Sequence, residues 1–296
     1  MMKKKILVIG SIAIDNTIFT NKLPSAGTTT IADSYFTNIG GKGANQACAA
    51  LFLGADVSFI GAIGKDHNGD MVESFLKDQK LNTRLKRSDS PTGVAFIILD
   101  EHNAENRILI VQGANTDLKV EDIDKNLDLL SEGDILLTQF ENSMETIEYV
   151  IKKAHERHMT VVVNPAPIKE LNKEYYQYID YLVPNEHELV SLSGKDDIKE
   201  ASKELLSRGA KNVIVTLGEK GSMLINKQEE IIVKPHKVKA IDTTAAGDSY
   251  LGALVYKLSM SSPIKEAMEF ASLASSHTVT KKGAIVSLPH LEELLD

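Results

Sequence analysis

The residues best placed to do chemistry in this sequence lie in a run of small residues that leads into a helix. The stretch Lys239–Leu258 reads KAIDTTAAGDSYLGALVYKL. From Ser249 onward, apolar residues recur at helical spacing, which predicts a helix directly after DTTAAGD. The first N–H groups of a helix have no partner within it and the helix dipole is positive there, so this end can bind an anion. Asp248 lies at that end, either as part of an anion-binding site or simply as a helix cap.

Three other turns carry ligand-type residues at junctions between strands and helices. The turn Ile39–Ala47, IGGKGANQA, has three glycines that let the backbone approach a ligand, while Lys42 and Asn45 offer donors at a helix start. TLGEKG at Thr216–Gly221 and PNEHE at Pro184–Glu188 each follow a predicted strand. For the glycine-rich turn alone, a tight turn followed by an amphipathic helix would be the favoured explanation. Several such turns at one edge of one sheet favour a ligand site.

The motifs of several other classes of protein are absent. There is no phosphate-binding G-x-x-x-x-G-K-[ST], and no G-x-G-x-x-G follows the first strand. Asp66, Asn68 and Asp70 begin like a calcium loop, but the glycine is misplaced and no glutamate completes the loop. His155 and His158 share a helical face without a third ligand candidate. Without H-E-x-x-H or G-x-S-x-G, the sequence favours neither a zinc enzyme nor a serine hydrolase.

Composition narrows the cellular setting and the partners. The net charge of −8 over 296 residues argues against broad binding to nucleic acid or to an anionic membrane. The single cysteine, Cys48, excludes an intramolecular disulfide, fits a reducing compartment, and is interpreted as a small apolar residue on a buried helix. The N-terminal MMKKK leads into an apolar run too short for a signal peptide or a membrane span. We therefore expect a cytoplasmic protein with no nucleic-acid or membrane partner.

Buried runs and amphipathic stretches alternate along most of the chain, which predicts a parallel sheet with helices on both faces. Strands are expected at Lys5–Gly10, Val57–Ile63, Ile135–Leu137, Thr160–Asn164, Tyr181–Pro184 and Val213–Leu217, with antiparallel edge strands at Met223–Ile225 and Glu230–Val233. Helices are expected at Ala44–Leu53, Gly69–Asp78, Val120–Leu130, Met144–His158, Lys199–Arg208, Asp248–Leu258 and Ile264–Thr280. Ligands of such sheets bind beyond the carboxyl ends of the strands.

A second, smaller sheet is expected among the first of these units. Thr28–Thr37 and Gly93–Leu99 are rich in residues that favour strands and do not alternate with helices, and Arg107–Val111 is expected to join them. The small sheet would be formed from about residues 12–38 and 92–112. Because no long linker separates it, we expect a single domain over residues 1–296.

Together these motifs resemble those of the ribokinase family, the PfkB-type carbohydrate kinases. GGKGANQA at Gly40–Ala47 and DTTAAGD at Asp242–Asp248 match the two signature regions of the family, and NPAP at Asn164–Pro167, PNEHE and TLGEKG fall between them in the family's order. The similarity runs from about Ile6 to Pro289. It implies a ribokinase-like three-layer α/β/α fold in which the small sheet is a lid that closes over the sugar. In this family the lid also pairs two subunits, which implies a homodimer.

The resemblance implies ATP-dependent phosphoryl transfer to a sugar hydroxyl. Asp248 would be the general base, and the amides of Ala245, Ala246 and Gly247 would stabilise charge on the transferred group. The sugar ligands implied are Asp15, Gly41, Lys42, Asn45, Glu141 and Asp248. The nucleotide ligands implied are Asn185, Thr216, Leu217, Gly218, Glu219, Lys220, Gly221, Gly247, Asp248 and Ser272, of which Ser272 would lie beside the base.

Two cations are implied by the same resemblance. Mg²⁺ would lie near Asn185 and Glu188, with the glutamate acting through water. K⁺ would order the anion-binding loop without touching the substrate. The residues that match this monovalent site, several of them through backbone carbonyls, are Asp242, Thr244, Thr278, Lys281, Gly283 and Ser287.

One position departs from the family pattern, which usually reads G-S-x-N-x-D after the first strand. This chain reads GSIAID, so Ala13 replaces an asparagine that supplies a hydrogen bond to the sugar, at a cost of about 0.5–1.5 kcal/mol. The motifs are most similar to those of the family members that phosphorylate the 5-hydroxyl of D-ribose. D-Ribose is therefore the first substrate that we expect. Deoxyribose, another furanose or a nucleoside are the alternatives. A sugar-binding regulator without activity is disfavoured because the base, the anion site and the lysine are present.

Overall fold

The computed structural model describes residues 4–100, 105–129 and 131–295. Within these ranges the strands are β1 (Ile6–Ile9), β2 (Ala13–Thr20), β3 (Ser34–Gly40), β4 (Val57–Gly64), β5 (Asn82–Ser88), β6 (Val94–Asp100), β7 (Glu105–Val111), β8 (Ile135–Gln139), β9 (Thr160–Asn164), β10 (Tyr181–Leu182), β11 (Asn212–Thr216), β12 (Ser222–Asn226) and β13 (Glu230–Val233). The α-helices are α1 (Lys42–Phe52), α2 (His67–Asp78), α3 (Val120–Asp124), α4 (Met144–Glu156), α5 (Glu186–Ser193), α6 (Ile198–Ser207), α7 (Ala246–Ser259) and α8 (Ile264–Thr278).

Nine strands form the central sheet in the order β13-β12-β11-β10-β9-β8-β1-β4-β5. Neighbouring strands are parallel from β5 to β11, and β12 and β13 extend the sheet in antiparallel fashion. The sequence-based prediction of a mostly parallel sheet between helical layers, with a small sheet beside it, is confirmed. The strand predictions Thr160–Asn164 and Glu230–Val233 coincide with β9 and β13.

The central strands are buried and largely apolar because helices cover both faces of the sheet. In β1, Ile6 and Val8 belong to one hydrophobic layer, whereas Leu7 and Ile9 belong to the other, and all four side chains are buried. The first layer contains residues of helices α1, α2, α7 and α8. The second contains residues of α3, α4, α5 and α6. The alternation of side chains along each strand therefore ties both helical layers to one sheet.

The small sheet has the strand order β3-β2-β6-β7. Its central pair, β2 and β6, is parallel, and β3 and β7 flank it in antiparallel fashion. The chain enters this sheet directly after β1 and returns from it through β3 into α1. The glycine-rich GGKGANQA segment consequently spans the end of a small-sheet strand and the start of a helix on the central sheet.

The structure corrects the predicted strands of the small sheet. The segment Thr28–Thr37 was expected to be a strand, but residues 21–33 are not in a strand and β3 begins at Ser34. The register explains this boundary, because Phe19 in β2 pairs with Ser34 and β2 ends one residue later. Strand β2 itself, which contains Asp15 and Asn16, has no apolar alternation that would predict it.

Three other elements differ from the sequence-based prediction. The helix expected over Val120–Leu130 ends at Asp124 and is followed by a short 3₁₀ helix, Leu127–Leu129, while Leu130 lies outside the described residues. Strand β5 was missed because it is a charged strand at the edge of the sheet, and α5 was missed because its first turn was assigned to the PNEHE loop.

No helix in the described part of the chain combines the length and the apolar character that a membrane crossing needs. The cytoplasmic location expected from the sequence stays a prediction.

Candidate active site

Helices α1 and α7 approach each other closely where both carry small residues. A Cβ atom added at Gly252 of α7 would lie 2.4 Å from the Cβ atom of Ala49 and 2.8 Å from the backbone nitrogen of Ala50 in α1. Both distances are below those of real Cβ contacts, so only glycine permits this separation of the helices. Because i and i+4 residues lie on the same side of a helix, this contact also sets how the preceding turns of the two helices face each other.

Asp248 lies one turn before that contact, in the first turn of α7, and only 6% of its surface is exposed. Its Oδ2 atom accepts a hydrogen bond of 2.9 Å from Nδ2 of Asn45, and its Oδ1 atom accepts one of 2.9 Å from Nε2 of Gln46. Asn45 and Gln46 lie one turn before Ala49 and Ala50 in α1. The two helix starts, more than 200 residues apart in the chain, are thus joined at the aspartate that the sequence singled out.

Gln46 was not among the residues predicted for the site. The signal available in the sequence was its position beside Asn45 in the helix that follows the glycine-rich turn. Helical periodicity alone assigns it to the buried face of an amphipathic helix, and only the packing of α7 shows what it contacts.

Lys42 lies at the start of α1, close to three carboxylates. The Asp248 carboxylate is the main cause of the raised pKa of Lys42; burial opposes this shift, and Glu141 and Glu188 add to it. The ammonium group therefore stays charged within a cluster of negative side chains.

Glu141, which follows β8, is anchored to the glycine-rich turn. Its Oε2 atom accepts hydrogen bonds from the Ser11 hydroxyl and, at 3.1 Å, from the backbone nitrogen of Lys42. Ser11 Oγ also accepts a hydrogen bond of 3.4 Å from the backbone nitrogen of Gly43. The loop after β1, the loop after β8 and the start of α1 are held together by these contacts.

Asp15 projects from β2 onto the backbone of β3. A Cβ atom at Gly40 would lie 2.0 Å from Oδ2 of Asp15, so the carboxylate occupies the space that a side chain at position 40 would need. Among the described residues, no group donates a hydrogen bond to this carboxylate. Burial, followed by the charges of Glu141 and Asp248, raises the pKa of Asp15 to about 7. Such an unpaired carboxylate is well suited to accept hydrogen bonds from the hydroxyl groups of a ligand.

Gly41 joins the small sheet to α1 in a conformation that favours glycine. Its φ is +90°, and a Cβ atom there would lie 2.8 Å from both the backbone nitrogen of Ala13 and the Cα atom of Ile12. The β1–β2 loop therefore packs directly against the start of α1. Ala13 is buried at this contact, with 8% of its surface exposed.

The start of α7 offers free backbone donors. Ala245 has a φ of +58° and immediately precedes the helix. Among the described residues, the N–H groups of Ala245, Gly247 and Asp248 find no hydrogen-bond acceptor, whereas the nitrogen of Ala246 lies 3.3 Å from the carbonyl oxygen of Thr243. Gly247 is exposed, so a ligand can reach these donors. Free N–H groups at the positive end of a helix form a site for phosphate.

Most of the residues expected to receive the nucleotide lie at the carboxyl ends of β10 and β11. Thr216 at the end of β11 pairs with Asn185 just after β10, and its backbone nitrogen donates a 3.0 Å hydrogen bond to Pro184. The following turn, Thr216–Gly221, contains a 3₁₀ helix at Gly218–Lys220, where the Lys220 ammonium lies 3.4 Å from Glu186. Both segments therefore lie at the carboxyl edge of the sheet.

Ser272 lies apart from that turn, on α8. It is buried, and it lies one turn before Ser275, which donates a 2.9 Å hydrogen bond to the Ala246 carbonyl at the start of α7. The structure therefore brings α8 close to the start of α7. No hydrogen bond joins Ser272 to the Thr216–Gly221 turn in the described ranges.

Asn185 and Glu188 form a reciprocal cap at the start of α5. The two Glu188 carboxylate oxygens accept 2.9 Å hydrogen bonds from the backbone nitrogen and Nδ2 of Asn185, and Glu188 donates its backbone N–H to Oδ1 of Asn185 at 2.8 Å. Burial raises the pKa of Glu188, against the hydrogen bond from Asn185 and the charge of Lys42. Each carboxylate oxygen keeps a free lone pair, which fits a contact with Mg²⁺ through water.

Three of the residues expected at a monovalent site are joined by hydrogen bonds. Oδ1 of Asp242 accepts from the backbone nitrogen and hydroxyl of Thr244 at 2.9 and 2.6 Å, and Oδ2 accepts from the backbone nitrogen of Gly283 at 2.9 Å. The loop before α7 is thereby tied to the loop after α8.

The other three have their side chains engaged elsewhere. The Thr278 hydroxyl lies 2.7 Å from Ser249 Oγ, the Ser287 hydroxyl donates to the Ala284 carbonyl at 2.7 Å, and the Lys281 ammonium lies 2.5 Å from Glu293. These three residues can therefore offer a cation only backbone or hydroxyl oxygen atoms, while Asp242 keeps a free lone pair on Oδ2. An all-oxygen set of this kind suits a hard monovalent ion. Across the described ranges, no group of three or more His, Cys, Asp or Glu side chains is arranged to hold a metal ion.

A mostly parallel sheet between helical layers, with a small second sheet beside it, is the ribokinase-like fold, and the protein is an ATP-dependent carbohydrate kinase of this fold. The chain belongs to the PfkB family, because the model for pfkB family carbohydrate kinases matches residues 3–291. It is similar to the deoxyribokinase of Salmonella typhi, with 36% identity over 97% of this chain and 96% of that protein.

Two solved structures show the same fold. The ribokinase from Thermotoga maritima superposes with a TM-score of 0.91 at 39% identity and covers 98% of both chains. The ribokinase from Arabidopsis thaliana, in complex with ribose and ATP, superposes with a TM-score of 0.90 at 29% identity over 99% of this chain and 98% of that one.

Proposed function

We propose that this chain transfers the γ-phosphoryl group of ATP to the 5-hydroxyl group of a pentose, with D-ribose as the first candidate. The observation that carries the proposal is the buried Asp248 carboxylate at the start of α7. It accepts a hydrogen bond from Asn45, and the neighbouring N–H groups of Ala245 and Gly247 are free among the described residues. The similarity to ribokinases, one of them in complex with ribose and ATP, supports the choice of substrates.

In this proposal Asp248 takes the proton of the sugar hydroxyl as that oxygen forms its bond to the γ-phosphorus. The bond between the γ-phosphorus and the oxygen that bridges to the β-phosphate breaks in the same displacement, and ADP leaves. The free N–H groups of Ala245 and Gly247 face the charge that develops on the transferred group, where preorganised donors are most effective. Mg²⁺, when bound near Asn185 and Glu188, neutralises charge on the phosphates.

The sugar is proposed to lie between the small sheet and the start of α1. Asp15 and Glu141 supply acceptors for its hydroxyl groups, and Lys42 supplies a donor. Asn45 is well placed to connect sugar and base, because its Nδ2 atom donates to Asp248 while its buried Oδ1 atom has no partner among the described residues. A ligand hydroxyl group that donates to this oxygen would remove the cost of an unpaired buried acceptor.

Deoxyribose is the second candidate, and Ala13 is the observation that favours it. An alanine side chain offers no hydrogen bond, so a sugar that lacks one hydroxyl group loses less at this position than in a site that contains asparagine. The deoxyribokinase relative at 36% identity supports this alternative. Nucleosides and other furanoses form the third group of substrates to assay.

We further propose that K⁺ binds beside the loop that contains Asp242 and Thr244. This loop leads directly into the anion-binding start of α7, so an ion there would order the phosphate site without contacting the sugar. The expected result is that activity rises when K⁺ replaces Na⁺ or a large organic cation. Equal activity in all three salts would refute this role.

The small sheet is proposed to act as a lid within a single domain and to pair two copies of the chain. Strand β7, at one edge of this sheet, carries four consecutive apolar side chains that each have at least half of their surface exposed: Ile108, Leu109, Ile110 and Val111. An apolar edge of this kind favours association with a second copy. Sedimentation of the parent and of Leu109→Lys tests this proposal: a dimer that dissociates in the variant supports it, and a parent that is monomeric at assay concentration refutes it.

The function is tested by measuring ADP release with ribose, deoxyribose, fructose, fructose 6-phosphate and nucleosides. The proposal requires the highest kcat/KM with ribose or deoxyribose, and their ratio decides between the two candidates. Activity only on nucleosides or sugar phosphates would exclude the pentose assignment, and no turnover with any sugar would favour a binding protein. Asp248→Asn should lower kcat by about 10²–10⁴-fold with little change in stability, because a general base is lost.

A further inference from the structure

A chain of three buried side-chain amides lies behind the Asp248 carboxylate. Nε2 of Gln46 donates to Oδ1 of Asp248 at 2.9 Å and lies 3.2 Å from Oδ1 of Asn164 at the end of β9. Oε1 of Gln46 accepts a 2.7 Å hydrogen bond from Nε2 of Gln139 at the end of β8. Asn164 in turn donates from Nδ2 to the carbonyl oxygen of Val183 at 3.1 Å. The base is thereby connected to the carboxyl ends of two neighbouring strands of the central sheet.

The direction of every hydrogen bond in this chain follows from Asp248. A carboxylate only accepts hydrogen bonds, so Gln46 must present its NH₂ group to Asp248 and its carbonyl oxygen to the other side. Gln139 must then present its own NH₂ group to that oxygen. Gln46 and Gln139 are both fully buried, so solvent offers no alternative partners. The amide planes are therefore locked in one orientation.

The arrangement leaves one acceptor without a partner. Oε1 of Gln139 is buried and makes no hydrogen bond with any described residue. It packs against Gly10, where an added Cβ atom would lie 2.1 Å from it. An unpaired buried acceptor destabilises a fold. The unpaired Gln139 oxygen lowers the stability of the fold, while the same arrangement keeps the Gln46 amide directed at Asp248. A loss of stability of this kind is typical of functional sites rather than of cores.

We propose that Gln46 is a positioning residue that fixes the plane of the Asp248 carboxylate, and that Gln139 and Asn164 hold the Gln46 amide in place. With Oδ1 held by Gln46 and Oδ2 held by Asn45, neither oxygen can rotate away from the incoming hydroxyl group. The inference rests on the proposed role of Asp248 as the general base. It predicts an effect on kcat, because the alignment of the base matters in the reaction step and less in the binding of substrate.

Two substitutions of Gln46 separate positioning from packing. Gln46→Met keeps the volume but removes the donor, and we expect kcat to fall by about 10²-fold, the cost of a misaligned group, with KM changed by less than about threefold. Gln46→Glu restores a donor only while the new carboxyl group is protonated, and its proximity to Asp248 favours that form. We therefore expect Gln46→Glu to recover part of the lost kcat at low pH and to lose it through a new ionisation as the pH rises.

The pH profile must be compared with those of the parent and of Gln46→Met, because other titratable groups face Asp248. These are Lys42 on α1, Asp15 on β2 and Glu188 on α5, with Glu141 after β8 close to both Lys42 and Asp15. All four are shared by the three proteins, so an ionisation that is present only in Gln46→Glu belongs to the new carboxyl group and its interaction with Asp248.

A double variant distinguishes this inference from the proposed function itself. If Gln46 acts through Asp248, then Asp248→Asn combined with Gln46→Met should be no slower than Asp248→Asn alone. Gln228→Met, at an exposed position between β12 and β13, is the control and should match the parent. Parent-like kcat in both Gln46 variants would overturn the positioning role, as would losses that multiply in the double variant. Full activity of Asp248→Asn would instead overturn the proposed function.

Discussion

The substitution Gly252→Ala tests whether the close contact between α1 and α7 sets the geometry of the candidate active site. A methyl group at position 252 would lie 2.4 Å from the Cβ atom of Ala49 and 2.8 Å from the backbone of Ala50. Ordinary carbon–carbon contacts are about 3.5–4.0 Å long, so the helices must separate by about 1 Å at this point. Asp248 and its two donors lie one turn away and must separate by a similar distance, which would break hydrogen bonds of 2.9 Å.

The magnitude follows from two opposing contributions. Overpacking costs about 1–3 kcal/mol, whereas alanine is about 1 kcal/mol better than glycine in a helix, so the free energy of unfolding should fall by only about 0–2 kcal/mol. A displacement of about 1 Å at the reacting groups costs about 10²-fold in rate. We therefore expect kcat to fall by about 10²-fold in a protein that remains folded, measured by ADP release with the preferred sugar and by urea unfolding.

Leu205→Ala is the matched control for the loss of stability. Leu205 is fully buried in the hydrophobic layer on the opposite face of the sheet, away from α1 and α7. Its truncation should cost about 2–5 kcal/mol, more than the glycine substitution, and should leave kcat of the folded protein unchanged. The reasoning is wrong if Gly252→Ala retains kcat within about twofold of the parent, or if Leu205→Ala lowers kcat to the same extent.

Three further predictions concern the residues around the proposed sugar site. The fold raises the pKa of Asp15 from 3.8 to about 7, so ionisation of Asp15 lowers the stability of the parent as the pH rises from about 4 through 7. In urea titrations, Asp15→Asn should therefore be more stable than the parent by about 2–4 kcal/mol at pH 8 and no more stable near pH 4. The same variant should bind sugar more weakly. Gly41→Ala should lower the midpoint of urea unfolding, because φ is +90° and the added Cβ atom meets backbone; an unchanged midpoint would contradict this. Ala13→Asn should raise kcat/KM for ribose relative to deoxyribose by about tenfold, and an unchanged ratio would show that position 13 does not select the sugar.

Local patterns in the sequence were enough to predict the class of fold and the main chemical candidates. Apolar runs such as Val161–Val163 within β9 mark strands that are buried on both faces, and the alternation of these runs with amphipathic helices predicts a parallel sheet. The small-residue run before Asp248 marks a helix start that can bind an anion. These features depend on residues close together in the chain, and short-range patterns record them well.

The sequence was less informative where a strand or helix depends on its neighbours. Strand β2 has polar residues at several positions and forms because β3 and β6 supply its hydrogen-bond partners, and the boundary of β3 at Ser34 follows from where β2 ends. Strand β5 reads as a charged loop because only one of its edges is paired. The pairing energy of such strands comes from distant segments, so their own composition is a weak signal.

The helix start of Lys239–Leu258 was identifiable from the sequence, but the partners of Asp248 were decided only by the tertiary structure. Asn45 and Gln46 lie about 200 residues away in the chain, and they reach the carboxylate because Gly252 lets α7 pack directly against Ala49 and Ala50. A sequence records which side chains can donate or accept. Which donor faces which acceptor depends on the separation and register of packed helices, and close packing in the interior sets both.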